Sequence, residues 1–194
     1  MMVTNVLLTG VGGQGIITAS SVLAEACRLA GWQVIKSEVH GMSQRGGSVI
    51  SYVRLSPATP IHSPVIPEGA ADLMLAFEPL EALRQINQMK PDAHVLVEET
   101  RIPPVTVSTG GYLYPEDCLA RLRRSGRQVT VIAAYQRARE LGEPRAANTI
   151  ILGAASALLA LSQEFWLTAL TQRLKPEARA INLRAFEVGR QLVQ

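Results

Sequence analysis

Two glycine-rich stretches carry the residues whose types and spacing suit chemistry. In the first, Gly10, Gly12 and Gly15 fit G-x-G-x-x-G, with Gly13 and Gln14 between them. The apolar run Val6-Leu7-Leu8 precedes the stretch and a helical pattern follows it, so the spacing predicts a strand, a tight turn and a helix start. Glycines admit unusual backbone angles there and let a phosphate approach exposed N–H groups at the positive end of a helix. The plainer alternative is a tight turn that binds nothing. The second stretch is His40-Gly41-Met42-Ser43-Gln44-Arg45-Gly46-Gly47-Ser48. It supplies an imidazole (His40), hydroxyl and amide donors (Ser43, Gln44), a guanidinium (Arg45), and Gly41, Gly46 and Gly47, whose backbone N–H groups are free to face a ligand. Such a set recognises an anion by bidentate pairing and by a backbone nest; its alternative is a hairpin tip.

No complete catalytic apparatus accompanies these stretches. The sequence has no metal motif, no G-x-S-x-G, no P-loop lysine after the glycines and no catalytic-cysteine signature. His40 beside Arg45 has the residue types for acid or base work, and the two are the catalytic candidates, although no carboxylate or serine is paired with the histidine, which favours binding. His62, in a proline-rich segment, and His94, at a strand start, read as ordinary residues. Glu38 stands about twenty residues past the glycine turn, where a dinucleotide-binding domain places an acid on the ribose. A stand-alone dinucleotide-binding oxidoreductase is therefore one alternative function, and a non-catalytic interaction module with a vestigial glycine loop is another.

Positioning these stretches requires an α/β framework. Ile16, Ala19, Leu23, Ala26, Cys27 and Ala30 recur at helical spacing up to Gly31. Strands are expected over Trp32 to Val39 and Val49 to Leu55, and the short loop between them favours antiparallel neighbours or an irregular connection, since a parallel crossover needs a dozen or more residues. Ser56 to Gly69, with four prolines, reads as an extended connection. Then follow a strand over Ala71 to Phe77, a helix over Pro79 to Met89, strands over Ala93 to Glu98 and Val105 to Val107, a helix from Pro115 to Arg124, and a strand over Val129 to Ala133. Beyond Ala134 the pattern is helical throughout: Tyr135 to Leu141, Ala146 to Leu161, Phe165 to Leu174 and Pro176 to Val193. The expected fold is a Rossmann-like, mostly parallel sheet with helices on both faces, an irregular second unit and a helical C-terminal region, in one domain over residues 1–194.

Composition narrows the function classes. With 47% hydrophobic and 18% charged residues the chain reads as a globular protein with a somewhat apolar surface. Net charge is +3, and Lys36, Lys90 and Lys175 are the only lysines, so the arginine-rich balance suits protein interfaces and anionic ligands, with no basic stripe for nucleic acid. Cys27 and Cys118 lack a C-x-x-C partner, so neither an iron–sulfur nor a zinc site is expected on this chain. Met1 to Asn5 run straight into the first strand, and Thr149 to Leu161 falls short of the roughly 20 residues that span a bilayer. A cytoplasmic, non-membrane location is the expectation.

The residues together resemble a family. The opening Val6 to Gly15, the loop His40 to Val49 with Val53-Arg54-Leu55-Ser56, Ala71-Asp72 before Leu73, Asn148 to Gly153-Ala154, and the closing Asn182, Ala185-Phe186 and Gly189 are similar to the gamma subunit or gamma domain of 2-oxoacid:ferredoxin oxidoreductases. The loop version resembles most the small (beta) subunit branch of indolepyruvate ferredoxin oxidoreductase. The resemblance implies a thiamine-diphosphate-dependent complex that oxidatively decarboxylates an arylpyruvate, sends two electrons through iron–sulfur clusters to ferredoxin and transfers the acyl group to coenzyme A. It implies further that thiamine diphosphate, Mg and the clusters lie on a large partner subunit, in a heterodimer or a dimer of heterodimers. This chain, inactive alone, would complete the cavity, with coenzyme A as co-substrate. Gly12, Gly13, Gln14 and Gly15 would then edge the cavity facing a phosphate, and His40 and Arg45 would face the substrate or cofactor held by the partner. A gamma subunit for pyruvate or branched-chain 2-oxoacids is the nearest alternative.

Overall fold

The computed structural model describes residues 3–40, 46–108, 110 and 113–193. Six strands form one sheet: β1 (Thr4–Val11), β2 (Gln33–His40), β3 (Ser48–Ser56), β4 (Ala71–Ala76), β5 (Met89–Glu98) and β6 (Gln128–Ile132), in the order β2-β3-β1-β4-β5-β6. β1, β4, β5 and β6 are parallel neighbours, whereas β3 pairs antiparallel with both β1 and β2. The expected antiparallel hairpin is thus present, and it inserts β3 between β1 and β2. Val6 and Leu8 point into one core and Leu7 into the other, all fully buried, as a strand covered on both faces requires.

On one face lie α1 (Ile16–Leu29) and α6 (Ala147–Leu158), backed by α7 (Gln163–Arg173) and α8 (Pro176–Gln191). Gly31, at φ 78°, stops α1 as its position predicts. The other face is covered by α2 (Pro79–Arg84) and α4 (Cys118–Arg123), and by the 57–70 strap, whose Ile66 is a buried peg beside Leu7 and Tyr52. The strap does the work of the helix that the irregular second unit lacks. α5 (Ala134–Glu140) follows β6 and packs on α6.

Some elements differ from expectation. Val105 to Val107, read as a strand, belong to a one-turn helix, α3 (Val105–Ser108). β-branched residues favour a strand only where a partner edge exists. Here the Val105 N–H donates to Gly46 O and the Ser108 N–H closes a turn on Pro104 O. The helix expected to run to Met89 ends at Arg84, followed by a 3-10 turn over Ile86–Gln88, and Met89 already belongs to β5. The helix expected from Pro115 starts at Cys118, and the long helix expected to reach Leu161 ends at Leu158.

Candidate functional site: a cleft at the carboxyl edge of the sheet

β1 ends in the glycine turn, and each glycine there serves a different purpose. Gly10 permits close packing: a Cβ on it would stand 2.7 Å from Gln14 Oε1 and 2.9 Å from Phe77 Cβ. Gly12 extends the ladder with β3, its N–H donating to Gly47 O at 2.8 Å and its carbonyl accepting from the Gly46 N–H at 3.2 Å. Gly13 (φ 108°) and Gly15 (φ 79°) take left-handed backbone angles, and a Cβ on Gly13 would meet nothing within 4 Å. Gln14 is a latch: its Oε1 accepts from the Val11 N–H at 2.6 Å and its Nε2 donates to Phe77 O at 2.6 Å, joining the ends of β1 and β4. No side chain caps α1, whose first backbone bond runs from the Ala19 N–H to Gly15 O, so the N–H groups ahead of Ala19 have no partner inside the helix.

Beside this turn a cleft of about 400 Å³ opens at the carboxyl ends of the parallel strands. Gly13, Gln14 and Gly15 line it after β1, Phe77 after β4, and Glu98, Thr100 and Ile102 at and beyond the end of β5. Tyr135 of α5, Pro144 and Arg145, and Ala147, Asn148 and Ile151 of α6 complete the wall. This is the crevice where open α/β sheets bind ligands, at the point where the chain leaves β1 to one side and β4 to the other. Asn148 leans over the turn, and its Nδ2 occupies the space that a Cβ on Gly15 would need. Glu98 is 3% exposed and accepts from the backbone N–H groups of Thr100 (2.9 Å) and Tyr135 (3.0 Å). Burial pushes its carboxyl above the usual carboxylate range, against those hydrogen bonds.

Two further carboxylates are buried in the first turn of α2. Glu78 caps that helix by accepting from the Glu81 N–H at 2.9 Å, and it also accepts from the Tyr114 hydroxyl at 2.5 Å. Burial raises its carboxyl, and burial together with the neighbouring Glu78 raises the Tyr114 phenol. Glu81 accepts from Ser48 Oγ and from Arg84 Nη1, each at 2.6 Å.

Of the residues the sequence singled out, Gly13, Gln14 and Gly15 come together in the cleft wall. Gly10 and Gly12 are used for packing and strand pairing, with the Gly12 N–H taken by Gly47 O. Gly46 and Gly47 bind Gly12 instead of lining the cleft. His40 ends β2, its backbone opposite Val49, and Gly41, Ser43, Gln44 and Arg45 lie outside the described residues. Glu38 belongs to the edge strand, two strand spacings or about 10 Å from β1, and pairs with Lys36 at 2.7 Å. With β3 inserted, the acid of a dinucleotide-binding domain has no adjacent β2 from which to reach the glycine turn. Sequence reasoning missed Glu78, Glu81, Glu98, Tyr135 and Arg145. An acid ending an apolar strand at the carboxyl edge, as Glu98 does, was the available signal. Among the described residues no cluster of histidine, cysteine and carboxylate side chains is set to hold a metal ion, and Cys27 and Cys118 are buried free thiols, with burial pushing Cys27 up to about 12. No helix among them is long and apolar enough to cross a membrane.

The chain is similar to known proteins along nearly its whole length. Residues 5–192 match the family model described as pyruvate ferredoxin/flavodoxin oxidoreductase. The indolepyruvate oxidoreductase subunit IorB of Thermococcus kodakarensis is 40% identical over 190 residues, covering 95% of this chain and 93% of that protein. The crystal structure of a keto/oxoacid ferredoxin oxidoreductase gamma subunit from Geobacter sulfurreducens has a TM-score of 0.74 at 25% identity, covering 98% of each chain. A 2-oxoglutarate:ferredoxin oxidoreductase from Magnetococcus marinus shares the fold with a TM-score of 0.77 at 23% identity, over all of this chain and 31% of that one.

Proposed function

The chain belongs to the pyruvate ferredoxin/flavodoxin oxidoreductase family, and from that premise we propose that it is the small subunit of an indolepyruvate (arylpyruvate):ferredoxin oxidoreductase. The observation that carries the proposal is the near-full-length match to an indolepyruvate oxidoreductase subunit, which pairs this chain with a relative of nearly its own length. We take residues 1–194 as one domain that completes the active-site cavity of a large catalytic subunit in the cytoplasm. Thiamine diphosphate with Mg and the iron–sulfur clusters, held by that partner, supply decarboxylation and the passage of electrons to ferredoxin.

What this chain's own residues do follows from the cleft. Its donor set fits the phosphate and pantetheine portions of coenzyme A. The α1 N–H groups, beside Gly13 and Gly15, suit a phosphate, and Phe77, Ile102 and Ile151 offer apolar wall to the pantetheine chain. Asn148 and Arg145 supply polar groups at the wall. His40 and Arg45 we assign to the face turned toward the substrate or cofactor held by the partner.

The test is a pull-down of the tagged chain from its native cytosol without oxygen, followed by assay of the eluate for arylpyruvate- and coenzyme A-dependent dye reduction. Capture of a large thiamine- and cluster-bearing protein with that activity supports the proposal. A chain that elutes alone carrying a nucleotide overturns it. Within the complex, Arg45→Ala should lower turnover or alter its coenzyme A dependence, and unchanged kinetics would remove Arg45 from the site.

A further inference from the structure

The α2 carboxylate Glu81 does not line the cleft, yet it is fully buried and its two oxygens go to two different structures. Oε1 accepts from Arg84 on its own helix, and Oε2 accepts from Ser48, the first residue of β3. Burying a carboxylate is costly unless its partners are in place, so this arrangement fixes Ser48 relative to α2. From Ser48 the connection continues into the glycine turn. Val11 stands opposite Ser48, the Gly12 N–H donates to Gly47 O, the Gly46 N–H donates to Gly12 O, and the Val105 N–H donates to Gly46 O at 2.8 Å. Gly12 is bonded to Gly13, which is cleft wall. The turn is therefore held from two sides. Gln14 ties it to Phe77 at the end of β4, and Glu81 ties it, through Ser48, to α2.

We propose that Glu81, acting through Ser48, is a positioning residue for the glycine turn and thereby sets the affinity of the cleft for coenzyme A; this rests on the coenzyme A reading of the cleft given above. α1 offers its N–H groups in a fixed direction, and their grip on an anion depends on where the turn places them. Loss of the Ser48 hydroxyl leaves Gln14, and Asn148 through its Nδ2 on Gly15 O, as the remaining side-chain contacts on the turn and frees it to shift on the β3 side.

The experiment uses the assembled complex, purified without oxygen, with Ser48→Ala, Ser48→Thr and Glu81→Gln. The readouts are kcat, the separate KM values for coenzyme A and arylpyruvate, and hydrogen exchange of the segment spanning residues 12–15. Ser48→Ala should raise the KM for coenzyme A about tenfold, as loss of a hydrogen bond to a charged acceptor would, with kcat and the arylpyruvate KM within about twofold. Exchange in the segment should quicken. Ser48→Thr, which keeps the hydroxyl, should restore both, and Glu81→Gln, with one oxygen for two donors, should move both in the same direction by less. Unchanged exchange and an unchanged coenzyme A KM in Ser48→Ala, or no rescue by threonine, overturns the proposal. If exchange quickens while the coenzyme A KM stays fixed, Ala147→Leu, which adds bulk to the cleft wall, separates the causes. A raised coenzyme A KM in Ala147→Leu refutes the positioning role alone, and an unchanged one refutes the coenzyme A reading on which it rests.

Discussion

Replacing Gly153 by alanine should loosen the joint that holds the cleft's helical wall. α6 and α8 cross with backbones in contact, so a Cβ on Gly153 would stand 2.0 Å from Phe186 O and 2.9 Å from the carbon of that carbonyl. A carbon and a carbonyl oxygen settle near 3.3 Å or beyond, leaving a shortfall of about 1.3 Å. Backbone on a helix cannot swing aside as a side-chain end can, so the helices must part. Parting strains the Thr149–Asn182 hydrogen bond (2.5 Å) and the Arg190–Ser156 bond (3.2 Å), and it unpacks Ile150, Ala154, Ala185 and Phe186, all fully buried. Overpacking of this kind costs about 1–3 kcal/mol and each strained hydrogen bond about 1 kcal/mol, against a gain of about 1 kcal/mol for replacing a mid-helix glycine by alanine. The net loss is about 2–4 kcal/mol, which for a chain of this size is a fall in Tm of roughly 4–16 °C. Gly189→Ala, whose Cβ would stand 1.9 Å from Ile150 O, attacks the same crossing from the other helix. Once the helices have parted the second change meets little resistance, so the double variant should lose far less than the two single losses combined. Thermal unfolding followed by circular dichroism checks this. A Gly153→Ala variant melting within about 1 °C of the parent, or strict additivity in the double variant, refutes the reasoning.

Other perturbations test the remaining joints. Glu25 is held well below the usual carboxylate range, at about 2, by hydrogen bonds from Arg28 on its own helix and from Arg173, which ties α1 to the end of α7. Because its folded pKa is depressed from 4.5, its contribution is present above pH 4.5 and is lost as pH falls toward 2. Glu25→Gln should therefore flatten the acid limb of the stability–pH curve in that window, as measured by urea unfolding at stepped pH; an unchanged limb removes Glu25 from the acid response. Gly15→Ala meets two obstacles, a left-handed backbone (φ 79°) and the Asn148 amide. Adding Asn148→Gly should relieve the collision and leave about 1–2 kcal/mol of backbone strain, so a double variant as stable as the parent in thermal unfolding would show that the backbone angle is not the obstacle. Glu38→Gln should leave coenzyme A kinetics of the complex unchanged, since β3 separates Glu38 from the turn, and a raised coenzyme A KM would place that acid at the site after all.

Much of the fold was legible because its signals are local. Apolar runs marked β1, β4 and the end of β5, helical spacing marked α1, and the short loop between two strand patterns argued against a parallel crossover there, where β3 is antiparallel. What stayed hidden depends on partners that no local pattern names. Val105 to Val107 have strand propensity but pair with no strand of the sheet, and their first N–H is taken by Gly46. Pro115 suits a helix start, yet the first helical turn waits for Cys118, whose thiol donates to Pro115 O. In the candidate site the pattern G-x-G-x-x-G revealed where the backbone must bend and could not reveal which N–H groups remain for a ligand. Gly12 looks as available as Gly13 in the sequence, and only the pairing with Gly46 and Gly47 tells them apart.

The same distinction explains why the residues that carry the family resemblance are spread along the whole chain while the cleft is local. Asp72 accepts from the Asn5 N–H and pairs with Lys90, tying β1, β4 and β5 together at the edge opposite the cleft. Asn182 accepts from Thr149, Gly153 and Gly189 allow the α6–α8 contact, and Phe186 packs on Trp166 with ring centroids 5.9 Å apart, which ties α8 to α7. The first of these joints lies at the end of the sheet opposite the cleft and the others lie behind its helical wall, where α6, which α8 holds in place, carries Asn148 to Gly15 and Ile151 to the cleft wall. A wall assembled from the ends of β1, β4 and β5 and from α5 and α6 keeps its shape only while the joints between those elements hold. The sequence must therefore specify small residues and buried polar groups behind the cleft wall as strictly as it specifies the glycines in that wall. A glycine that makes a helix crossing possible and a glycine that leaves a cleft wall open leave the same mark in a sequence; the neighbours that a Cβ would meet tell them apart. At Gly153 that neighbour is backbone of α8, and at Gly13 it is open space beside the cleft.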